Sequence, residues 1–117
     1  MLDRNTMPGW LRQLEEDVVR LLGNVDVMRR ERLDYLLLTY LRIDRVDTLI
    51  DEASSRLFVL RKSTEQAAVT ELAEPALLEA EQQALTELAR LHAYRRRFRG
   101  QRDRCIAKLF YKGLPLR

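Results

Sequence analysis

A chain of 117 residues with 46% hydrophobic and 33% charged residues can bury one modest core, and it holds no run near the roughly 18 apolar residues of a membrane span. Only 4 Gly and 3 Pro interrupt a composition rich in Leu, Ala, Glu and Arg, so turn-rich β architectures are disfavoured and an all-α fold is expected. The net charge is +3 and Cys105 has no partner for an internal disulfide; with a start, Met1-Leu2-Asp3-Arg4, that lacks an apolar leader, a soluble intracellular protein is expected.

Pro8 suits the first position of a helix, where its missing N–H removes nothing. Leu11, Leu14, Val18 and Leu21 follow at spacings of 3, 4 and 3, and Gly23-Asn24 supplies a stop, so a first helix is predicted over about 8–22. A second helix is predicted over about 25–62. Its stripe is Leu36, Tyr40, Ile43, Val46, Ile50, Ala53, Leu57 and Leu60, with Ser54-Ser55 as the one weak point. At about 1.5 Å per residue this helix would reach roughly 57 Å, longer than a compact globule of this size accommodates. An elongated bundle around one long central helix is therefore expected, part of it protruding or packed on another chain.

Ser63-Thr64-Glu65-Gln66 has capping-box spacing and predicts a short separate helix over 64–73. Pro75 opens a last helix to about residue 111, and Lys112-Gly113-Leu114-Pro115-Leu116-Arg117 ends it. No repeat or low-complexity tract divides the chain, so residues 1–117 are expected to form a single helical domain.

Charge is unevenly distributed. Residues 1–62 balance, residues 63–89 hold six Glu and no basic group, and residues 90–117 carry +9. Within the basic segment, Arg90, Arg97, Arg104 and Lys108 fall on one outward stripe at 100° per residue, while Arg95 and Arg102 share the sector of Ala84, Leu88, Leu91, Phe98, Cys105 and Leu109. Two interpretations follow. An acidic start and a basic end both suit the helix dipole, leaving a solvated face and two arginines that need carboxylate partners, from this chain or another. Alternatively Arg90, Arg96, Arg97, Arg99 and Arg104, interleaved with Tyr94 and Phe98, contact nucleic acid.

The residues of common catalytic sites are sparse. His92 has Ala89 three residues before it, so the Glu-x-x-His pattern of di-iron bundles fails and no metal site is expected. Cys105 lies in the apolar sector and suits a small buried hydrophobe. Asp44, Asp47 and Asp51 share a face but alternate with Arg42, Arg45 and Arg56, the pattern of surface ion pairs. No phosphate loop, zinc spacing or serine elbow occurs, so neither enzymatic activity nor a cofactor is expected.

The most distinctive stretch is Glu31-Arg32-Leu33-Asp34-Tyr35-Leu36-Leu37-Leu38-Thr39-Tyr40-Leu41-Arg42, which is too apolar all round for a surface helix. Leu33, Leu36, Leu37, Tyr40, Leu41 and Ile43 cannot all face one small core, so some are expected to face a partner. This stretch resembles the signature of GINS subunits, most closely the Sld-five type: Glu-Arg-x-x-Tyr-x-Leu-x-x-Tyr-Leu-Arg, matched by Glu31, Arg32, Tyr35, Leu37, Tyr40, Leu41 and Arg42. Leu77-Leu78-Glu79-Ala80-Glu81 and Gly113-Leu114-Pro115 resemble the acidic start and Leu-Pro end of that family's next helix.

The resemblance implies the helical domain alone, without the family's C-terminal β domain. It also implies a non-catalytic subunit of a four-part assembly that helps assemble and activate the MCM helicase in DNA replication. Implied partners are Psf-type GINS paralogues, MCM and its Cdc-type cofactor, with room for indirect DNA contact and none for a membrane. Localisation would be nuclear in a eukaryote and cytoplasmic otherwise. Expected partner-facing residues are Leu33, Tyr35, Leu36, Leu37, Tyr40, Leu41, Arg42, Ile43, Arg95, Phe98 and Arg102. The alternatives are a stand-alone basic helical nucleic-acid-binding module and a self-associating helical adaptor.

Overall fold

The computed structural model describes residues 3–69 and 75–110. Among the described residues the protein is all-α, with a 3-10 turn at Arg4–Thr6 followed by α1 (Gly9–Leu22), a long central α2 (Val27–Val69) and α3 (Pro75–Phe110). Asp3 caps the 3-10 turn by accepting a hydrogen bond from the Asn5 amide at 3.0 Å. Pro8 offers its carbonyl to the amides of Leu11 and Arg12, each at 3.1 Å, but its backbone is extended, so it is the cap of α1 and not, as the sequence expectation had it, its first residue. Gly23 ends α1 at φ +73°, where a Cβ would be strained, with its amide donating to the Val19 carbonyl.

Both boundaries of α2 also differ from the sequence expectation. Helix α2 begins at Val27 because the Asp26 carboxylate accepts from the Arg29 amide at 2.8 Å, the geometry of an N-cap. At its other end α2 runs through the predicted break at 62–64. The Ser63 and Thr64 hydroxyls donate back to the carbonyls of Val59 and Leu60, at 3.1 and 2.9 Å, so they sit inside a continuous helix and cap nothing. Capping boxes act only where the preceding backbone turns, and no Gly or Pro lies nearby to turn it. The remainder of the short helix predicted to 73, and the Gly113-Leu114-Pro115 ending, lie outside the described residues. Pro75 is the first residue of α3, and Gly100 sits within that helix without interrupting it.

Contacts divide the chain into two compact units. In one, Met1–Asp44 with Arg97–Arg117, the core is Met7, Leu11, Val18, Leu33, Leu36, Leu37, Cys105 and Leu109. Leu14, Val19, Leu22, Tyr40, Leu41 and Ile106 pack around it. Leu21 points outward and Leu22 takes the inner position, because 4-residue spacing from Val18 keeps the stripe on one face. Along one edge Arg4 and Arg30 both pair with Glu15 and Asp34; Arg4 lies 2.9 Å from Glu15 and 2.6 Å from Asp34, and Arg30 lies 3.0 Å from Asp34.

The other unit is Arg45–Arg96. There Val46, Ile50, Ala53 and Leu57 of α2 and Ala84 and Leu91 of α3 are buried, as the two stripes predict. Ion pairs run alongside: Arg56 with Glu87 and Arg61 with Glu81, both at 3.2 Å, and Arg95 with Asp47 at 3.3 Å. These are solvated pairs, each contributing about 1 kcal/mol or less.

Candidate functional site

The signature stretch occupies the first half of α2, where three of its residues are used in packing α2 against the end of α3. The Arg32 guanidinium reaches the Lys108 carbonyl at 3.4 Å, and the Cys105 thiol donates to the Arg32 carbonyl at 3.1 Å. Arg42 lies over the Phe98 ring at 6.0 Å and Arg102 over the Tyr40 ring at 5.9 Å. Four residues expected to form interface (Tyr40, Arg42, Phe98 and Arg102) thus meet one another inside one unit. Each such contact contributes on the order of 0.5–1 kcal/mol at half-exposed sites.

The expectation that Leu33, Leu36, Leu37 and Ile43 face a partner is corrected by the structure, which buries all four within this chain. Helix α1 covers one flank of the leucines and α3 another, so three helices shield what a single neighbour could not. Leu41 is half-buried against the same core, and Tyr35 alone of the expected apolar interface residues is exposed, at 42%. Arg95 and Arg102 find partners here too. Arg95 pairs with Asp47 and contacts His92 Nδ1 at 3.3 Å, and Arg102 pairs with Asp103 at 3.0 Å. A carboxylate from another subunit is therefore not required for either.

Arg90, Arg96, Arg97, Arg99 and Arg104 are all exposed. Among the described residues no three His, Cys, Asp or Glu side chains gather into a group that could hold a metal ion, and no helix is long and apolar enough to cross a membrane.

One concave feature escapes sequence analysis. Glu31, Arg32 and Tyr35 of α2 and Gln101, Arg104, Cys105 and Lys108 of α3 line a cleft of about 320 Å³ within the first unit. Three cationic side chains face one carboxylate there. The Gln101 side-chain oxygen is buried without a hydrogen-bond partner among the described residues. Burial pushes the Cys105 thiol pKa up, opposed by the positive charges of Lys108 and Arg32, so both cations are felt at the cleft floor. Gly100 lies one turn before Arg104, and a Cβ at residue 100 would stand 3.3 Å from Arg104 Nη1. The i,i+3 pair Arg32–Tyr35 and the i,i+4 pair Arg104–Lys108 are visible in the sequence, but not that they face each other.

Comparison with known proteins settles no family. Protein-family models, curated proteins and solved structures were all compared with the chain, and none matches it.

Proposed function

We propose that this chain is a non-catalytic structural subunit of a GINS-type assembly, holding partner chains in DNA replication by means of its helix surfaces. The observation that carries the proposal is the use made of the signature residues. Arg32, Tyr40 and Arg42 are engaged in fixing α2 against α3, as befits a subunit whose product is a rigid shape. Large apolar side chains remain outside: Trp10, Met28 and Tyr35 in one unit, Phe58 and Val59 in the other. Exposed aromatic and methionine side chains are the composition favoured at protein interfaces.

Nuclease-treated affinity purification from the native cells, with mass spectrometry of what co-purifies, tests the proposal. Three other small helical subunits in stoichiometric amount, with less MCM, are expected. Recovery of the chain alone would defeat it. Interface variants belong at Tyr35 or Phe58, because Leu37→Asp would report on folding.

A second function, a basic module that binds nucleic acid, is favoured by the exposure of Arg90, Arg96, Arg97, Arg99 and Arg104. It requires steep salt dependence of binding to an oligonucleotide, abolished when Arg97 and Arg104 become Glu.

A further inference from the structure

We infer that the cleft between the first half of α2 and the end of α3 is a docking site for an acidic segment of a partner protein, with Arg32, Arg104 and Lys108 receiving a carboxylate and Tyr35 packing beside it. This inference rests on the assembly function proposed above and gives it a chemistry of recognition.

Charge complementarity leads to this occupant. The cleft presents three cations against Glu31, and neither Arg104 nor Lys108 forms an ion pair among the described residues. Arginine and an exposed tyrosine at a concave site are the side chains that carry most binding energy at interfaces. A guanidinium fork matches a carboxylate better than it matches an apolar group, and charge-assisted hydrogen bonds of this kind are the strong ones.

Gly100 is the second, independent observation. Glycine weakens a helix interior, and a Cβ at residue 100 would stand 3.3 Å from Arg104 Nη1, so an alanine there would displace the end of that side chain slightly. A cleft of about 320 Å³ that holds Glu31 among its cations suits one anionic side chain of such a segment better than a phosphate backbone, which a basic groove tracks. In the Glu-rich stretch of a second copy, two of the six carboxylates, Glu81 and Glu87, already pair with Arg61 and Arg56.

The experiment is an NMR titration of the full chain with a blocked peptide of four glutamates around a leucine, beside its glutamine counterpart and a ten-residue oligo-dT. The acidic peptide should bind saturably and shift the side-chain signals of Arg32 and Arg104, while the glutamine peptide should not. Arg104→Gln and Lys108→Gln should each weaken binding by about tenfold, the worth of one charge-assisted hydrogen bond. Glu31→Gln should strengthen it by about threefold. Gly100→Ala should weaken it by about twofold while leaving the fold intact, which separates binding from stability.

Equal binding of the two peptides, or an equal loss from Arg90→Gln, would overturn the inference. So would tighter oligo-dT binding lost in Arg104→Gln, or a homodimer in sedimentation dispersed by that substitution. Partners recovered from cells by both wild type and Arg104→Gln would sink the cleft alone. Peptide binding without any recovered partner would instead sink the assembly function.

Discussion

At the scale of single residues, the stability of the first unit rests on leucines that the sequence placed in doubt. Leu37 is fully buried among Leu11, Leu33, Leu36 and Leu109, so Leu37→Ala removes buried methyl groups and leaves a cavity. Urea unfolding should register a loss of about 2–5 kcal/mol; a loss below about 1 kcal/mol would mean that this face is open. Cys105 makes a second prediction. Burial raises its pKa in the folded state above that of the unfolded chain, so the folded chain binds the proton more tightly. The resulting stability is full below the ordinary thiol range and declines as pH rises through it toward the folded value. Stability followed from about pH 7 to 10 should therefore fall more steeply in the wild type than in Cys105→Ala. The thiol should also react slowly with a disulfide reagent at neutral pH, since a buried protonated sulfur is a poor nucleophile.

At the scale of elements, α2 tests how far a local motif can be trusted. Its stripe was legible because 3- and 4-residue spacings repeat from Leu36 to Leu57, and the structure buries those positions except for half-buried Tyr40. The end near residue 62 was misread because Ser63 and Gln66 have capping-box spacing inside an unbroken helix. Thr64→Pro distinguishes the two cases. Proline is welcome at the first position of a new helix, but in a helix interior it costs about 3 kcal/mol or unwinds the neighbouring turns. Loss of helical carbon shifts over 60–66 is expected; unchanged shifts would restore the two-helix arrangement. Gly100→Ala in α3 should act the other way, stabilising the protein by up to about 1 kcal/mol in thermal unfolding. The opposing term is small, because the atom that meets the new Cβ is the end of a flexible arginine, at 3.3 Å.

At the scale of the whole molecule, the two units differ in how they are filled. The largest fully buried side chains, Leu11, Leu33, Leu36, Leu37, Leu109 and Thr39, all belong to the first unit. Among the described residues the second buries Val46, Ile50, Leu57 and Leu91 with two alanines, smaller side chains on the whole than the leucines of the first. Native-state hydrogen exchange should accordingly give amides of α2 near residues 36–40 higher opening free energies than those near 53–57. Equal protection along the helix would show that the two units open together. The division itself was not legible in the sequence, where the size of the chain and the absence of any repeat or low-complexity tract suggested one domain.

The sequence by itself determined the all-α class, the inward faces of α2 and α3, and the need of Arg95 for a carboxylate partner. Each of these is a consequence of helical periodicity, which a short window of residues contains in full. Only the tertiary structure decided that the over-apolar stretch at 31–42 is covered by its own chain, and that Arg32 and Tyr35 meet Arg104 and Lys108 across a cleft. Those outcomes depend on the register between helices whose contacting residues stand far apart in the chain, such as Arg32 and Cys105, 73 positions apart. Local spacing says which way a side chain points, and the pairing of distant helices decides what it meets there.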